Sequence, residues 1–267
     1  MGVTLAVANQ KGGVGKTTTS VNLSASLAAA QRRVLLIDLD PQGNATTGSG
    51  IDKGKLSRSV YHLLLGEAPL AEVRTRSAIG LYDVLPANRA LAGAEVELVD
   101  LPAREFQLRN MLQPVQADYD FILIDCPPAL NLLTVNGLVS ANAVVIPMQC
   151  EYYALEGLSD LVQTIKKVRA NLNPTLEIEG LLRTMFDPRN SLAQQVSEQL
   201  QRHFGAKVYQ TIIPRNVRLA EAPSHGLPAL YHDQSSKGAQ AYTALAGEVL
   251  ERLSAKQILS VRAPEPI

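Results

Sequence analysis

Short apolar runs of strand length recur along the chain, at Leu5 to Ala8, Val34 to Ile37, Leu81 to Leu85, Phe121 to Ile124, Ala143 to Pro147 and Ile178 to Leu182. They are almost continuously hydrophobic, a pattern that predicts strands buried on both faces. Between them the apolar spacing becomes helical, over Thr17 to Ala30, Glu105 to Val115, Leu155 to Asn171, Leu192 to Phe204 and Gly238 to Leu253. This alternation predicts one α/β domain with a mostly parallel, twisted sheet and helices on both faces. Crossovers in such sheets are right-handed, and ligands collect at the carboxyl ends of the strands. We expect the domain to span residues 1–260, with 261–267, which contain two prolines, as a flexible tail. Two segments lack a period, Asp40 to Lys55 and Arg215 to Ser236, and read as functional loops.

Composition narrows the class. The 267 residues are 46% hydrophobic and 19% charged, enough to bury a sizeable core, and no apolar span reaches membrane length. The N-terminus enters the strand-like LAVAN without a basic leader, so the reading is cytoplasmic. Cys126 and Cys150 lie far apart in apolar runs and read as buried free thiols. The histidines, His62, His203, His225 and His232, lack metal-ligand spacing. With 25 basic against 25 acidic residues there is no global basic field, so any DNA surface must be local. From Arg183 to Arg218 six basic residues (Arg183, Arg189, Arg202, Lys207, Arg215, Arg218) face two acidic ones (Asp187, Glu198).

The strongest chemical signal is Lys11-Gly12-Gly13-Val14-Gly15-Lys16-Thr17-Thr18, which follows the first strand and opens a helix. Glycines there allow the positive-φ turns that aim successive N–H groups at a triphosphate. Lys16 would reach the β- and γ-phosphates, and the Thr17 hydroxyl would ligate Mg²⁺. The strict pattern requires glycine where Gln10 stands, and a second lysine, Lys11, lies inside the loop. Strand two runs into Asp38-Leu39-Asp40-Pro41-Gln42-Gly43-Asn44, with both carboxylates at the carboxyl end and, by alternation, on one face. One would serve the Mg²⁺ shell through water and the other orient the attacking water, or either would cap a loop. A second apolar strand ends in Asp125, followed by Cys126 and two prolines, and Asp125 is a further Mg²⁺ candidate through water.

KGGVGKT resembles the signature of the deviant-Walker P-loop ATPases, which include the ParA/Soj partition proteins, MinD and the nitrogenase iron protein. The likeness to ParA/Soj continues through DxDPQGN, GAEVEL, QCEYYALEGL, TMFDPRN and IIPRNVRLAEAPSHG, nearly the whole chain. It implies a nucleotide-sandwich homodimer that binds ATP and Mg²⁺, coats DNA non-specifically on the nucleoid and hydrolyses ATP when a ParB/Spo0J-type partner stimulates it. In that family the first lysine, here Lys11, reaches the partner's nucleotide, and Asp40 is the catalytic carboxylate. The loop holding Pro214, Arg215 and Asn216 borders the adenine. The DNA-contacting arginines fall on Arg189 and Arg218, with Arg215 and Lys237 as further candidates. A MinD-like membrane ATPase is the alternative. It needs a basic amphipathic tail, and Ala255 to Ile267 carries only Lys256 and Arg262 as basic residues and is broken by Pro264 and Pro266. An iron–sulfur role needs thiolates bridging two subunits, which the positions of Cys126 and Cys150 do not suggest.

Overall fold

The apolar runs stack side by side. In the computed structural model, which describes residues 2–262 and side chains as far as residue 255, eight strands form one sheet in the order β3-β4-β2-β5-β1-β6-β7-β8. They are β1 (Val3–Val7), β2 (Val34–Asp38), β3 (Thr75–Arg76), β4 (Asp83–Leu85), β5 (Phe121–Asp125), β6 (Ala143–Gln149), β7 (Glu177–Phe186) and β8 (Val208–Pro214). Among the described residues only the β3–β4 pairing is antiparallel.

Alternation along each central strand divides the core in two. Leu5, Val7, Leu36, Leu123 and Val145 face one layer, while Ala6, Leu35, Ile37, Ile122, Ile124 and Ile146 face the other. The first layer begins with α1 (Lys16–Ala29) and α2 (Asn44–Gly48). The chain then crosses to the opposite face for α3 (Val60–Leu64), α4 (Leu70–Val73), α5 (Leu91–Glu97), α6 (Gln107–Leu112), α7 (Leu132–Ser140), α8 (Ala154–Asn171) and α9 (Ser191–Phe204). It returns to the first face with α10 (Val217–Glu221), α11 (Ala229–His232) and α12 (Lys237–Arg262).

Several boundaries depart from the sequence reading. Strand β4 starts at Asp83, because Leu81 turns with φ 59° and cannot sit in a ladder. The helix expected over Glu105 to Val115 is α6 flanked by two 3-10 turns, the second beginning at Gln113 just before Pro114. Both "irregular" segments contain short helices, α2 in the first and α10 and α11 in the second. Helix α12 continues to Arg262, and residues 263–267 of the expected tail lie outside the described residues, as do the side chains that would test for an amphipathic membrane face. No helix among the described residues is long and apolar enough to cross a membrane. Both cysteines are buried free thiols, and burial pushes each thiol's pKa up.

Candidate active site

Between β1 and α1 the chain passes through left-handed backbone at Gly13 (φ 72°) and Gly15 (φ 87°), which side chains resist. A Cβ built on Gly12 or Gly13 would meet nothing within 4 Å, so the space above the loop is open. Gly15 is the N-cap of α1 and offers no side chain to its first-turn N–H groups, which remain available to an anion. Lys16 is only 7% exposed, and its Nζ donates to the Lys11 carbonyl at 3.0 Å. Burial lowers its pKa, against the opposing pull of Asp125. Distant strands brace the loop. Thr184 Oγ1 donates to the Val14 carbonyl at 2.8 Å, and Asn9 accepts from the Lys11 N–H while donating to the Pro147 carbonyl.

Asp38 and Asp125 end neighbouring strands as register partners, and both are fully buried. Asp38 is saturated: Oδ2 accepts from the N–H and hydroxyl of Thr46 (2.8 and 2.7 Å), and Oδ1 from the Asp40 N–H (3.1 Å). It therefore anchors α2 and the Asp40 turn and is not placed to orient a water. Asp125 accepts from Ser20 at 2.9 Å through Oδ1, whereas Oδ2 has no partner of normal geometry, although the Thr17 hydroxyl lies near enough to favour the ionised form. Burial raises both carboxyls' pKa values, and the charge of Asp38 raises that of Asp125 further. Asp40 opens onto the cavity, its orientation fixed by the Gln42 N–H on Oδ1 at 2.9 Å.

That cavity measures about 560 Å³. Gly12, Gly13, Gly15, Lys16, Thr17 and Thr18 of the glycine loop line it together with Thr184, Met185, Ile213, Pro214, Arg215 and Asn216. Two residues expected at the nucleotide stand apart. The Val14 side chain is buried, leaving only its backbone in the loop, and Lys11 turns away to pair with Glu151, both about half exposed. The sequence reading missed Thr184, Met185 and Tyr242. Met185 has a strained φ of 48°, and the Tyr242 hydroxyl lies 3.1 Å from Thr19 Oγ1. TMFDPRN contains the first two, but the family resemblance singles out only Arg189 within it. Tyr242 arrives from α12 without a local signal.

The basic stretch disperses in three dimensions. Arg183 is buried, donating to Ser197 and to the carbonyls of Tyr209 and Gln210, so it does not belong to a surface patch. Arg189 is 89% exposed and held by Asp187. Arg218 pairs with Glu221 and Asp233, Arg215 lies at the cavity rim, and Lys237 is exposed at the start of α12.

A glycine loop between a central parallel strand and a helix, with a buried lysine and strand-end carboxylates, defines a P-loop nucleotide-binding protein, here with the deviant second lysine. The family model described as AAA domain matches residues 2–178. The chromosome partitioning protein ParA of Caulobacter vibrioides is 52% identical over 250 residues, 93% of this chain and 94% of its own. The sporulation initiation inhibitor protein Soj of Bacillus subtilis is 53% identical over 249 residues, 93% of this chain and 98% of its own. Among solved structures, cobyrinic acid a,c-diamide synthase from Mycobacterium smegmatis with bound ADP and magnesium superposes with a TM-score of 0.84 at 38% identity, covering 96% of this chain and 97% of that one. The chain belongs to the ParA/Soj family of chromosome-partitioning ATPases.

Proposed function

We propose that this chain is an ATP-driven partition switch: ATP closes a homodimer that grips DNA non-specifically, and a ParB/Spo0J-type partner triggers hydrolysis and release. The observation that carries the reading is the pair of lysines on one loop. Lys16 is buried in the cradle, while Lys11 stands outside its own cavity on an exposed ion pair with Glu151. Such a surface pair is worth roughly 0–1 kcal/mol, so a partner's phosphate can outcompete it.

Lys16 holds the β- and γ-phosphate oxygens, and the first-turn N–H groups of α1 hold the remaining charge. Asp40, fixed by the Gln42 N–H, orients the water that attacks the γ-phosphate. The residues present fit Mg²⁺: Asp125 has a buried oxygen without a partner, beside Thr17. Thr17, with Asp40 and Asp125 through water, would hold the ion, which supplies charge neutralisation of the triphosphate. Pro214 and Asn216 flank the base. Arg189, Arg218 and Arg215 contact phosphates of DNA, doubled in number by dimerisation.

The test is DNA binding by the full chain with ATP, ADP or no nucleotide across a salt series. ATP-dependent binding that weakens steeply with salt is expected. Binding indifferent to nucleotide, or lipid vesicles sedimenting the protein in ATP, would overturn the reading in favour of another member of the superfamily.

A further inference from the structure

Strands β7 and β8 fall out of step twice just before they reach the cavity. Leu181 pairs with Val208 and Arg183 with Ile212, so two steps along β7 meet four along β8. From Arg183 to Phe186 the imbalance reverses, with three steps of β7 opposite the two from Ile212 to Pro214. Met185, with its left-handed backbone, lies in this second mismatch. Mismatches of this kind leave backbone groups without ladder partners.

Here side chains supply the partners. Arg183 Nη2 donates to the carbonyls of Tyr209 (2.7 Å) and Gln210 (3.2 Å), and Nη1 to Ser197 Oγ (2.9 Å). From the other side Glu248 of α12 accepts the N–H groups of Gln210 (2.8 Å) and Thr211 (2.9 Å). Arg252 pairs with Glu248 and donates to the Val208 carbonyl, its guanidinium 4.3 Å above the Tyr209 ring. The ring in turn needs Gly180, where a Cβ would lie 2.4 Å from a ring carbon. The surplus residues of β8 are thus pinned by carbonyl on one side and by N–H on the other.

This offset decides where β8 delivers its last residues, since a one-residue slip would turn each side chain to the opposite face. Ile213, Pro214 and the following Asn216 line the same cavity as the glycine loop. We infer that Arg183 and Glu248 are positioning residues for recognition of the purine base: by fixing the surplus segment of β8 they aim Ile213 to Asn216 at it. Neither lines the cavity. The inference rests on the nucleotide reading of that cavity.

The experiment is steady-state hydrolysis of ATP and of GTP by the full chain and by Arg183→Met, Arg183→Lys and Glu248→Gln, with thermal unfolding of each. In Arg183→Met and Glu248→Gln, KM for ATP should rise about tenfold with kcat within about twofold, and the ATP-over-GTP preference in kcat/KM should shrink by a similar factor. Arg183→Lys, which keeps a donor near one carbonyl, should recover part of the preference. A folded Met or Gln variant with the parent's KM and preference overturns the inference, as does a fall in kcat at constant KM. Loss of cooperative unfolding in both would make the network a requirement of folding and overturn the positioning role as well. A parent protein that neither turns over ATP nor binds it by calorimetry would sink the nucleotide reading itself, whereas a parent that does so beside unchanged variants sinks this inference alone.

Discussion

Removing Arg189 and Arg218 together should flatten the salt dependence of DNA binding by a calculable amount. On the proposed reading they give, with Arg215, three contacts on each protomer and six in a dimer, and at about 0.9 counterions per contact the slope of log K against log salt should be about −5.4. Between 50 and 200 mM salt the affinity should then fall about 2,000-fold. Three acids moderate this figure, because Arg189 is already bonded to Asp187 at 2.8 Å and Arg218 to Glu221 at 2.8 Å and to Asp233 at 3.3 Å. Each acid must yield to a phosphate and then stand beside it, so the parent slope should settle between about −4 and −5.4. Arg189→Ala with Arg218→Ala leaves the Arg215 pair, a slope of about −1.8 and a loss of only about tenfold over the same range. Asp187→Asn makes the converse test, since freeing Arg189 from an exposed pair should tighten binding by up to about fivefold per protomer. Acidification to pH 5 should not imitate that substitution, since the Arg189 bonds push the Asp187 pKa down to about 2. The assay is fluorescence anisotropy of a mixed-sequence duplex with ATP present. A double variant whose slope stays within about one of the parent's places the DNA surface elsewhere.

Other substitutions probe the cradle and the carboxylates. Lys16→Ala should abolish ATP binding by calorimetry, whereas Asp40→Ala should keep it and lose phosphate release; a turning-over Asp40→Ala protein would remove that carboxylate from the chemistry. Thr184→Val deletes the brace on the Val14 carbonyl and, at about 1 kcal/mol for a net hydrogen bond, should weaken ATP binding about fivefold. In chelator without nucleotide, the raised pKa values of Asp38 and Asp125 give stability that is complete in acid, below the unfolded carboxyl pKa, and is lost as the pH climbs through the folded values. The pair's contribution to the melting temperature should therefore fall between about pH 4 and 8, and Asp125→Asn should flatten the decline; an identical profile in that variant would refute the buried-pair account.

The strands most directly legible in the sequence are those whose burial is most uniform, whereas β7 is legible only over Ile178 to Leu182 and β4 only from two residues too early. β1, β2, β5 and β6 are apolar on both faces and could be read directly. β8 went unread because Gln210 and Thr211 interrupt its apolar run, and they do so because they belong to the surplus segment met by Glu248. The glycine loop was legible for a local reason: its turn chemistry and its lysine lie within a few residues. The rest of the cavity wall was not, being assembled from β7, β8 and α12, whose meeting is tertiary. Charge counting erred at Arg183 because a tally along the chain cannot distinguish an arginine that solvates a surface from one that satisfies buried carbonyls.

The clasp on β8 has a bearing on how copies of this chain can associate. Sheets grow when an outer strand presents unused rungs to a neighbour, and β8 is the outer strand on its side. Its Gln210 and Thr211 N–H groups are taken by Glu248, and its Val208 carbonyl by Arg252. The far margin, β3, is two residues long. Growth by strand addition thus finds little foothold at either margin, so a chain that crowds on DNA as proposed would be guarded against fibre formation while the face bearing Lys11 stays open for the proposed pairing.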